Sequence, residues 1–216
     1  MTWNTTVAAG EEIKMSIYEG YLETMTAVMD RIVRLIEENS RRHEAEHGEK
    51  LYEHLSHRIK GDDSMREKLI RHGMDPTVRN ALRAVTDAIG LRVVCLFIDD
   101  VYENVRLLKS LPGCSVVREK DYIQNAKPNG YRSYHMILDV ETDAPDVDGN
   151  MPGHYYVEIQ LRTIAMDTWA ALEHELKYKK DIANPELIAQ ELHRCANELA
   201  SCDVSMQTLR KIIRGM

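Results

Sequence analysis

The amino-acid sequence predicts an α/β (α+β) domain in which helices pack against one mixed β-sheet of about five strands. Three observations support this fold class. Residues 89–98 form an apolar segment with the β-branched character of a strand buried on both faces. Residues 154–163 alternate between apolar and polar side chains, as a strand with one buried face does. Amphipathic helical segments precede and follow these strands, and the mixture fits helices packed on a single sheet.

The composition fits one domain with helical extensions, located in the cytoplasm. Of 216 residues, 44% are hydrophobic and 29% charged, which allows a substantial core. No apolar run approaches the ~18 residues that would span a bilayer, and the N-terminus lacks the features of a signal peptide. The four cysteines include no CxxC pair, which favours reduced thiols. The net charge of −7 argues against broad nucleic-acid binding, but it is compatible with a small anionic ligand held in one pocket.

The chain is expected to begin with a flexible tail over residues 1–15, followed by a helix. Apolar spacing predicts that this helix covers residues 16–39 and fades into polar residues before Gly48. The polar segment 43–47 matches the HExxH pattern of zinc proteases. Almost no apolar residues surround it, so we interpret the match as a solvated helix face and not as a metal site.

A basic strand–helix unit comes next. Arg58 and Lys60 alternate, so they point to the same side of an extended segment. Ser64 and Glu67 have the spacing of a capping box that opens a helix, and a helix N-terminus attracts anions. The alternative is a charged surface helix without a ligand. The side chains that this unit would direct towards one volume are Arg58, Lys60, Ser64, Lys68 and Arg71.

The middle of the chain is predicted to alternate helices and strands. A short helix capped by Asp75 should run to about Ala88, and Asp87 stands just before the apolar strand 89–98. Arg92 lies within that strand, where it needs an anion or a π-system as a partner, because burying an unpaired guanidinium is costly. A further helix should occupy residues 100–110, capped by its first residue.

The loop within residues 121–135 lies between two predicted strands and carries a Pro-Asn-Gly turn that breaks regular structure. Cations beside a tight turn suit phosphate oxygens, and an aromatic ring at its tip offers a flat face to a base. An ordinary hairpin loop is the alternative interpretation. The side chains concerned are Lys120, Tyr122, Lys127, Tyr131 and Arg132.

The alternating strand is predicted to lie inside the sheet, because it leads directly into an amphipathic helix over residues 164–180. A polar row of this kind also occurs on solvent-facing edge strands. A second helical segment should extend from about Pro185 to Met216. The polar side chains that share one face of the strand are Tyr156, Glu158, Gln160 and Arg162.

Four segments together resemble the synthetase domain of the RelA/SpoT family, and the likeness is greatest to the stand-alone small alarmone synthetases. The resemblance covers residues 52–180 and implies a mixed sheet related to the polymerase-β-like nucleotidyltransferase fold. It divides the chain into an N-terminal helix region (16–50), a catalytic core (51–180) and C-terminal helices (181–216). The matching segments are 57–69, 86–95, 121–135 and 157–174.

The resemblance implies a Mg²⁺-dependent enzyme that transfers the β,γ-pyrophosphoryl group of ATP to the 3′-hydroxyl of GDP or GTP. The products are AMP and ppGpp or pppGpp. The hydrolase half of the two-domain relatives has no counterpart here, so synthesis without hydrolysis is expected. Relatives of this short form also imply a homo-oligomer, a tetramer, and the net charge does not favour RNA as a further partner.

By the same resemblance, Asp87 is the main Mg²⁺ ligand, and Glu158 assists it or orients and deprotonates the attacking hydroxyl. Arg58 and Arg92 would sandwich adenine, and Tyr131 would stack on guanine. The side chains expected to grip the ATP phosphates are Lys60, Ser64, Lys68 and Arg71. Those expected to contact the acceptor or to line its cleft are Lys120, Lys127, Asn129, Ser133, His135, Gln160 and Arg162.

Several points stay open in the sequence. His135 could equally be a hydrogen-bonded core histidine, and the pair Glu173 and His174 is often structural on a helix face. Asp167 stands where some relatives have asparagine, which could alter guanine recognition. Two other functions remain as alternatives: a pyrophosphokinase that acts on the 3′ end of tRNA, and a non-catalytic regulator that binds nucleotides or RNA.

Overall fold

The computed structural model describes residues 16–178 and 184–215, so the expected N-terminal tail lies outside the described residues. A 3₁₀ turn at Glu19–Tyr21 leads into the first helix. The helices are α1 (Leu22–His47), α2 (Asp62–Arg71), α3 (Ile98–Leu108), α4 (Ile164–Tyr178) and α5 (Pro185–Ile213), with a π-helical turn at Asn80–Ala84. The strands are β1 (His54–Ile59), β2 (Ile89–Cys95), β3 (Cys114–Asp121), β4 (Tyr134–Thr142) and β5 (Gly153–Thr163).

The five strands form one sheet in the order β1-β2-β5-β4-β3. Strands β2 and β5 pair in parallel, and every other neighbouring pair is antiparallel. The predicted mixed sheet of five strands with flanking helices is therefore confirmed. The alternating strand β5 is the middle strand, as its direct connection to α4 indicates.

One face of the sheet packs into the hydrophobic core. Its apolar side chains, among them Leu91, Ile159 and Leu138, are almost completely buried. Helix α1 contributes Met25 and Ile32 to the same core cluster. The period of two along each strand leaves the opposite face of the sheet free for polar side chains.

Helix α2 begins at Asp62, three residues earlier than a capping box at Ser64 predicts. Gly61 is its N-cap residue, and the carboxylate of Asp62 accepts hydrogen bonds from the Ser16 hydroxyl and the Ile17 amide, both at 3.0 Å. The predicted capping box at Ser64 is therefore wrong. A glycine followed by two acidic residues starts the helix instead, and the carboxylates favour its N-terminal dipole.

The boundaries of the next elements also differ from the prediction. Strand β2 ends at Cys95, and α3 starts at Ile98, so the last apolar residues of the predicted strand belong to a turn and a helix. The predicted helix over 75–88 is shorter, since its helical residues are 78–84, and hydrogen bonds from Thr77 N and Asn80 Nδ2 occupy the carbonyl of Asp75. Asp100 does not cap α3 but is buried.

Helix α1 continues to His47 and ends at Gly48, whose φ of +75° gives the left-handed C-cap that favours glycine. The HExxH segment lies at this largely exposed end of the helix. Among the described residues, no group of three or more His, Cys, Asp or Glu side chains could hold a metal ion. The exposure of residues 44–47 agrees with the interpretation as a solvated helix face.

Helix α5 is attached to the domain mainly through polar side chains. Asp203, Gln207 and Arg210 are buried, whereas the apolar Val204 and Leu209 are exposed. Arg210 donates to Asp100 Oδ1 on α3 at 2.5 Å, and its other nitrogen reaches a carboxylate in the turn after α1. The apolar periodicity of this segment correctly predicts a helix but not the face that is buried.

In the two described ranges, no helix has both the length and the apolar composition needed to cross a membrane.

We predict that Arg210→Met lowers the free energy of unfolding by about 3 kcal/mol, because it leaves the buried carboxylate of Asp100 without its partner. The matched control is Arg194→Met on the same helix. Arg194 is exposed and pairs only with neighbours one turn away, so its loss should cost less than about 0.5 kcal/mol. Urea unfolding monitored by circular dichroism measures both values. Equal losses in the two variants would contradict a structural role for the buried pair.

Candidate active site

Two rows of side chains cross all five strands on the polar face of the sheet. Residues directly opposite each other on paired strands point to the same face, so the register defines each row. The first row contains Ser56, Arg92, Gln160, His135 and Lys120. The second row contains Arg58, Gly90, Glu158, Ile137 and Arg118.

A cleft of about 220 Å³ lies over β1, β2 and β5. Asp87 and Glu158, which come from distant segments of the chain, both line this cleft, as the sequence-based interpretation expects. The other predicted site residues that line it are Arg58, Lys60, Arg92 and Gln160.

Asp87 is held by two lysines from different elements. Its Oδ2 atom lies 2.9 Å from Lys60 Nζ, just after β1, and 2.6 Å from Lys68 Nζ on α2. Burial by itself would raise the pKa of Asp87, but the hydrogen bonds from Lys68 and Lys60 outweigh it and hold the pKa below its usual range. The Oδ1 atom is buried and has no hydrogen-bond partner among the described residues. Asp87 is therefore ionised and has one oxygen available to a cation.

The backbone around Lys60 is fixed from two sides. Its amide donates to the carbonyl of Ala88 at 2.8 Å, and its carbonyl accepts a hydrogen bond from the buried Tyr18 hydroxyl at 2.5 Å. Ser64 and Arg71 are exposed on α2 and are not among the described residues that line the cleft. The structure thus joins two of the four predicted phosphate-binding side chains to Asp87.

Arg92 rises from β2 beside an acidic residue of α4. Its Nη1 atom lies 3.3 Å from Asp167 Oδ1, and its Nε atom is buried without a partner among the described residues. Burial and the neighbouring Arg162 lower the pKa of Arg92. Arg58 is exposed on β1 one row away, so both guanidinium groups lie on the same face of neighbouring strands.

Tyr131 lies over the other half of the sheet in a set of polar and aromatic contacts. Its hydroxyl accepts a hydrogen bond from Arg162 Nη2 at 2.8 Å and lies 2.7 Å from His135 Nε2. The Lys127 ammonium is 4.6 Å from the centroid of the Tyr122 ring and 4.8 Å from that of Tyr131. Of the three cations that the sequence suggests for this loop, Lys127 thus lies against the aromatic rings.

His135 is neutral at neutral pH. Burial, followed by the positive charges of Arg162, Lys127 and Lys120, lowers its pKa to about 4. A neutral imidazole can accept a hydrogen bond from the Tyr131 hydroxyl at Nε2. Its Nδ1 atom then faces Glu158 Oε1 at 3.8 Å. His135 therefore links the Tyr131 ring to the cleft that contains Glu158.

The loop that carries Tyr131 rests on α4 and α5. Arg132 donates to the carbonyl of Ala196 at 3.2 Å, and Asn129 Nδ2 donates to Glu173 Oε1 at 2.9 Å. Ser133 is fully buried, and its hydroxyl donates to the carbonyl of Leu161 at 3.1 Å. Asn129 and Ser133 thus contribute to the support of the loop in this structure.

Arg118 was not among the sequence-based candidates for the site, and Asp167 was named there only as a position that could alter guanine recognition. Arg118 occupies the same row as Glu158 and donates to Thr86 Oγ1 at 3.2 Å, beside Asp87. Its spacing of two from Lys120 on a strand was the signal that could have identified it. Asp167 contacts two arginines of the site, and no periodicity in the sequence indicates this.

Comparisons with known proteins show the family of the chain. The family model described as the region found in RelA/SpoT proteins matches residues 57–183. The chain is 38% identical to the GTP pyrophosphokinase YwaC of Bacillus subtilis over 76% of this chain and 77% of the relative. It is 34% identical to the GTP pyrophosphokinase YjbM of the same organism, over 73% and 72% of the two chains.

Solved structures give the same result for the fold. Small alarmone synthetase 1 from Bacillus subtilis, bound to its product pppGpp, superposes with a TM-score of 0.75 at 30% identity, covering 89% of this chain and 95% of that chain. Small alarmone synthetase 2 from the same organism superposes with a TM-score of 0.76 at 33% identity, covering 89% and 98%.

We predict that Gly130→Ala destabilises the Tyr131 loop by about 2 kcal/mol or more. Gly130 has a φ of +92°, and an added Cβ would lie 2.5 Å from the Cβ of Ala196. Gly149→Ala is the control, since it has a similar φ of +80° and open space around the added carbon. Adding Ala196→Gly should recover the steric part of the loss in a double-mutant cycle of unfolding free energies. An unchanged loss in the double variant would contradict this contact.

We predict that His135 makes the protein less stable in acid. The unfolded chain binds a proton at His135 near pH 6.5 and the folded chain only near pH 4, so stability rises with pH between these values. The difference corresponds to about 3 kcal/mol. In His135→Gln this part of the pH dependence should disappear, whereas it should remain in His72→Gln, a change at an exposed position. Unfolding at several pH values and an NMR titration of His135 test this, and a His135 that titrates near pH 6.5 in the folded protein would contradict it.

Proposed function

The chain belongs to the RelA/SpoT family, and from this premise we propose that it is a GTP pyrophosphokinase that makes (p)ppGpp. In this reaction the β,γ-pyrophosphoryl group of ATP is transferred to the 3′-hydroxyl of GDP or GTP, and AMP is released. The family model covers more than half of the chain, and the two Bacillus subtilis relatives named as GTP pyrophosphokinases each align with more than two thirds of it.

The observation that carries the proposal is the continuous polar surface from the Asp87 cleft to Tyr131. The surface begins with a cationic clamp, continues through two carboxylates and ends at an aromatic side chain within a second set of cations. A donor triphosphate, a reacting centre and a guanine nucleotide need these features in this order. Transfer of a phosphoryl-type group requires mainly positioning and charge neutralisation, which this arrangement can supply.

The donor nucleotide would bind over β1 and β2. Lys60 and Lys68 lie within reach of phosphate oxygens, and Arg58 and Arg92 stand on one face where their planar groups could enclose adenine. Ser64 and Arg71 would contribute only if the phosphates extend along α2, because both side chains are exposed there. Donor binding thus rests chiefly on the two lysines and two arginines.

The residues in the cleft fit a divalent cation, which we propose to be Mg²⁺. Asp87 offers a buried oxygen without a hydrogen-bond partner among the described residues, and Glu158 lines the same cleft. Hard cations prefer such oxygen ligands, and phosphate and water would complete the set. When bound, the cation would neutralise charge on the transferred group.

The acceptor nucleotide would bind over β4 with its guanine against Tyr131. The Tyr131 side chain is oriented by Arg162 and His135, while Lys120 and Lys127 supply positive charge for phosphates. Glu158 would then be close enough to the 3′-hydroxyl to orient it or to remove its proton. Its Oε2 atom accepts a hydrogen bond from Gln160 at 3.1 Å, which restricts its orientation.

A homo-oligomer and a cytoplasmic location remain proposals. Exposed apolar side chains on α5, including Val204, Leu209 and Ile212, support contacts with a second copy of this chain. The four cysteines are unpaired, as thiols are in a reducing compartment where ATP and guanine nucleotides are available.

The test is to incubate the purified protein with ATP, Mg²⁺ and either GDP or GTP and to separate the products by anion-exchange chromatography. We expect equal amounts of AMP and of ppGpp or pppGpp. In Asp87→Asn the rate should fall by at least ~10²–10³-fold, because the cation loses its charged ligand, while binding of ATP remains measurable.

The matched control is Asp139→Asn, which changes the same kind of group on β4. Asp139 pairs with His154 at 3.1 Å and is not among the described residues that line the cleft, so its loss should leave turnover near that of the unmodified protein. Absence of AMP and of (p)ppGpp at every GDP and GTP concentration would refute the proposed function. Transfer to labelled tRNA without transfer to GDP or GTP would show that the acceptor is the 3′ end of tRNA and not a guanine nucleotide.

A further inference from the structure

Asp167 stands between the two arginines that serve the two nucleotides. It lies in the first turn of α4, and its Oδ1 atom is 2.8 Å from Arg162 Nη1 and 3.3 Å from Arg92 Nη1. Arg92 belongs to the proposed adenine clamp, and Arg162 to the proposed guanine pocket. One carboxylate oxygen therefore contacts both halves of the site.

Arg162 extends this contact to the acceptor side. Only 5% of its surface is exposed, so its guanidinium depends on protein acceptors. Nη1 donates to Asp167, whereas Nη2 donates to the Tyr131 hydroxyl and to Gln160 Oε1, both at 2.8 Å. A continuous series of polar contacts thus connects Arg92, Asp167, Arg162 and Tyr131.

The carboxylate of Asp167 separates two positive charges, those of Arg92 and Arg162, and so keeps both guanidinium groups in place. Arg92 and Arg162 repel each other, and this repulsion adds to burial in opposing the charge on Arg92. Asp167 is an anion whose carboxylate lies within 3.5 Å of both guanidinium groups. Without its charge, either guanidinium could turn away, and the Tyr131 hydroxyl would lose a fixed donor.

We propose that Asp167 is a positioning residue that couples donor binding to acceptor binding. A nucleotide that orders Arg92 also orders Asp167 and Arg162, so the second nucleotide meets a guanine pocket that is already arranged. Because coupling between two ligands is reciprocal, the acceptor must favour the donor by the same factor, and such factors typically lie at about 5–150-fold. The inference deepens the proposed function and rests on it.

A purely structural ion pair would behave differently. Such a pair would stabilise the packing of α4 on the sheet, and its loss would change the affinities for both nucleotides or for neither. It would not make the affinity for one nucleotide depend on the presence of the other. The dependence is therefore the quantity to measure.

The experiment is isothermal titration calorimetry on the full chain with Mg²⁺. AMPCPP serves as the ATP analogue, because its methylene group replaces the α,β-bridging oxygen at which the transfer would cleave ATP. The dissociation constant of AMPCPP is measured with and without saturating GDP, and that of GDP with and without saturating AMPCPP. We expect both constants to fall by the same factor, at least ~5-fold, in the unmodified protein.

In Asp167→Asn, which keeps the size of the side chain and removes its charge, this factor should fall to about one. Glu175→Gln is the matched control, since it makes the same change of charge at an exposed position on the same helix and should keep the factor. Asp167→Glu restores the charge and should recover part of the coupling. If Asp167→Asn unfolds, Asp167→Glu becomes the test variant. Its coupling factor between the two nucleotides should then be smaller than that of the unmodified protein.

Equal dissociation constants with and without the second nucleotide in the unmodified protein would overturn the inference. A folded Asp167→Asn variant with the same coupling factor as the unmodified protein would also overturn it. Each of these results can occur in a protein that produces (p)ppGpp from ATP and GDP. Failure of the proposed function is recognised separately, by the absence of turnover.

Discussion

The register of β5 is the constraint on which the rest of the structure depends. This strand lies in the middle of the sheet, and its alternate residues face the hydrophobic core and the proposed site. Val157, Ile159 and Leu161 are fully buried, while Glu158 and Gln160 stand between them on the other face. A register shift of one residue would turn the apolar side chains of β5 to the site and the polar ones to the core. The free energy gained by burying the apolar side chains therefore also fixes the position of the site.

The site combines negative and positive charge in a way that the net charge of the chain conceals. Within the described residues, Asp87 contacts Lys60 and Lys68, and Asp167 contacts Arg92 and Arg162. Holding cations close together is unfavourable unless anions separate them. The acids therefore keep the cationic side chains in place, and an acidic protein can still present a local surface suited to polyphosphates.

The loop that carries Tyr131 is held by helices α4 and α5 as well as by the sheet. Gly130 lies directly against Ala196 of α5, and Arg132 donates to the carbonyl of the same residue. Helix α5 is attached in turn by its buried ion pair with α3. The loop that carries Tyr131 is thus a short segment supported by elements distant in sequence.

The amino-acid sequence by itself indicated the fold class, the position of β5 inside the sheet and most of the candidate site residues. The fold class and the interior position of β5 follow from local periodicity, whereas the roles of the candidate site residues come from the resemblance to the RelA/SpoT family. Tertiary structure alone decided that α2 begins at Gly61, that α5 is buried through Arg210 and Asp203, and that Asp167 joins Arg92 to Arg162. Each of these depends on a partner from a distant segment, and neither spacing nor propensity within one segment carries information about such a partner.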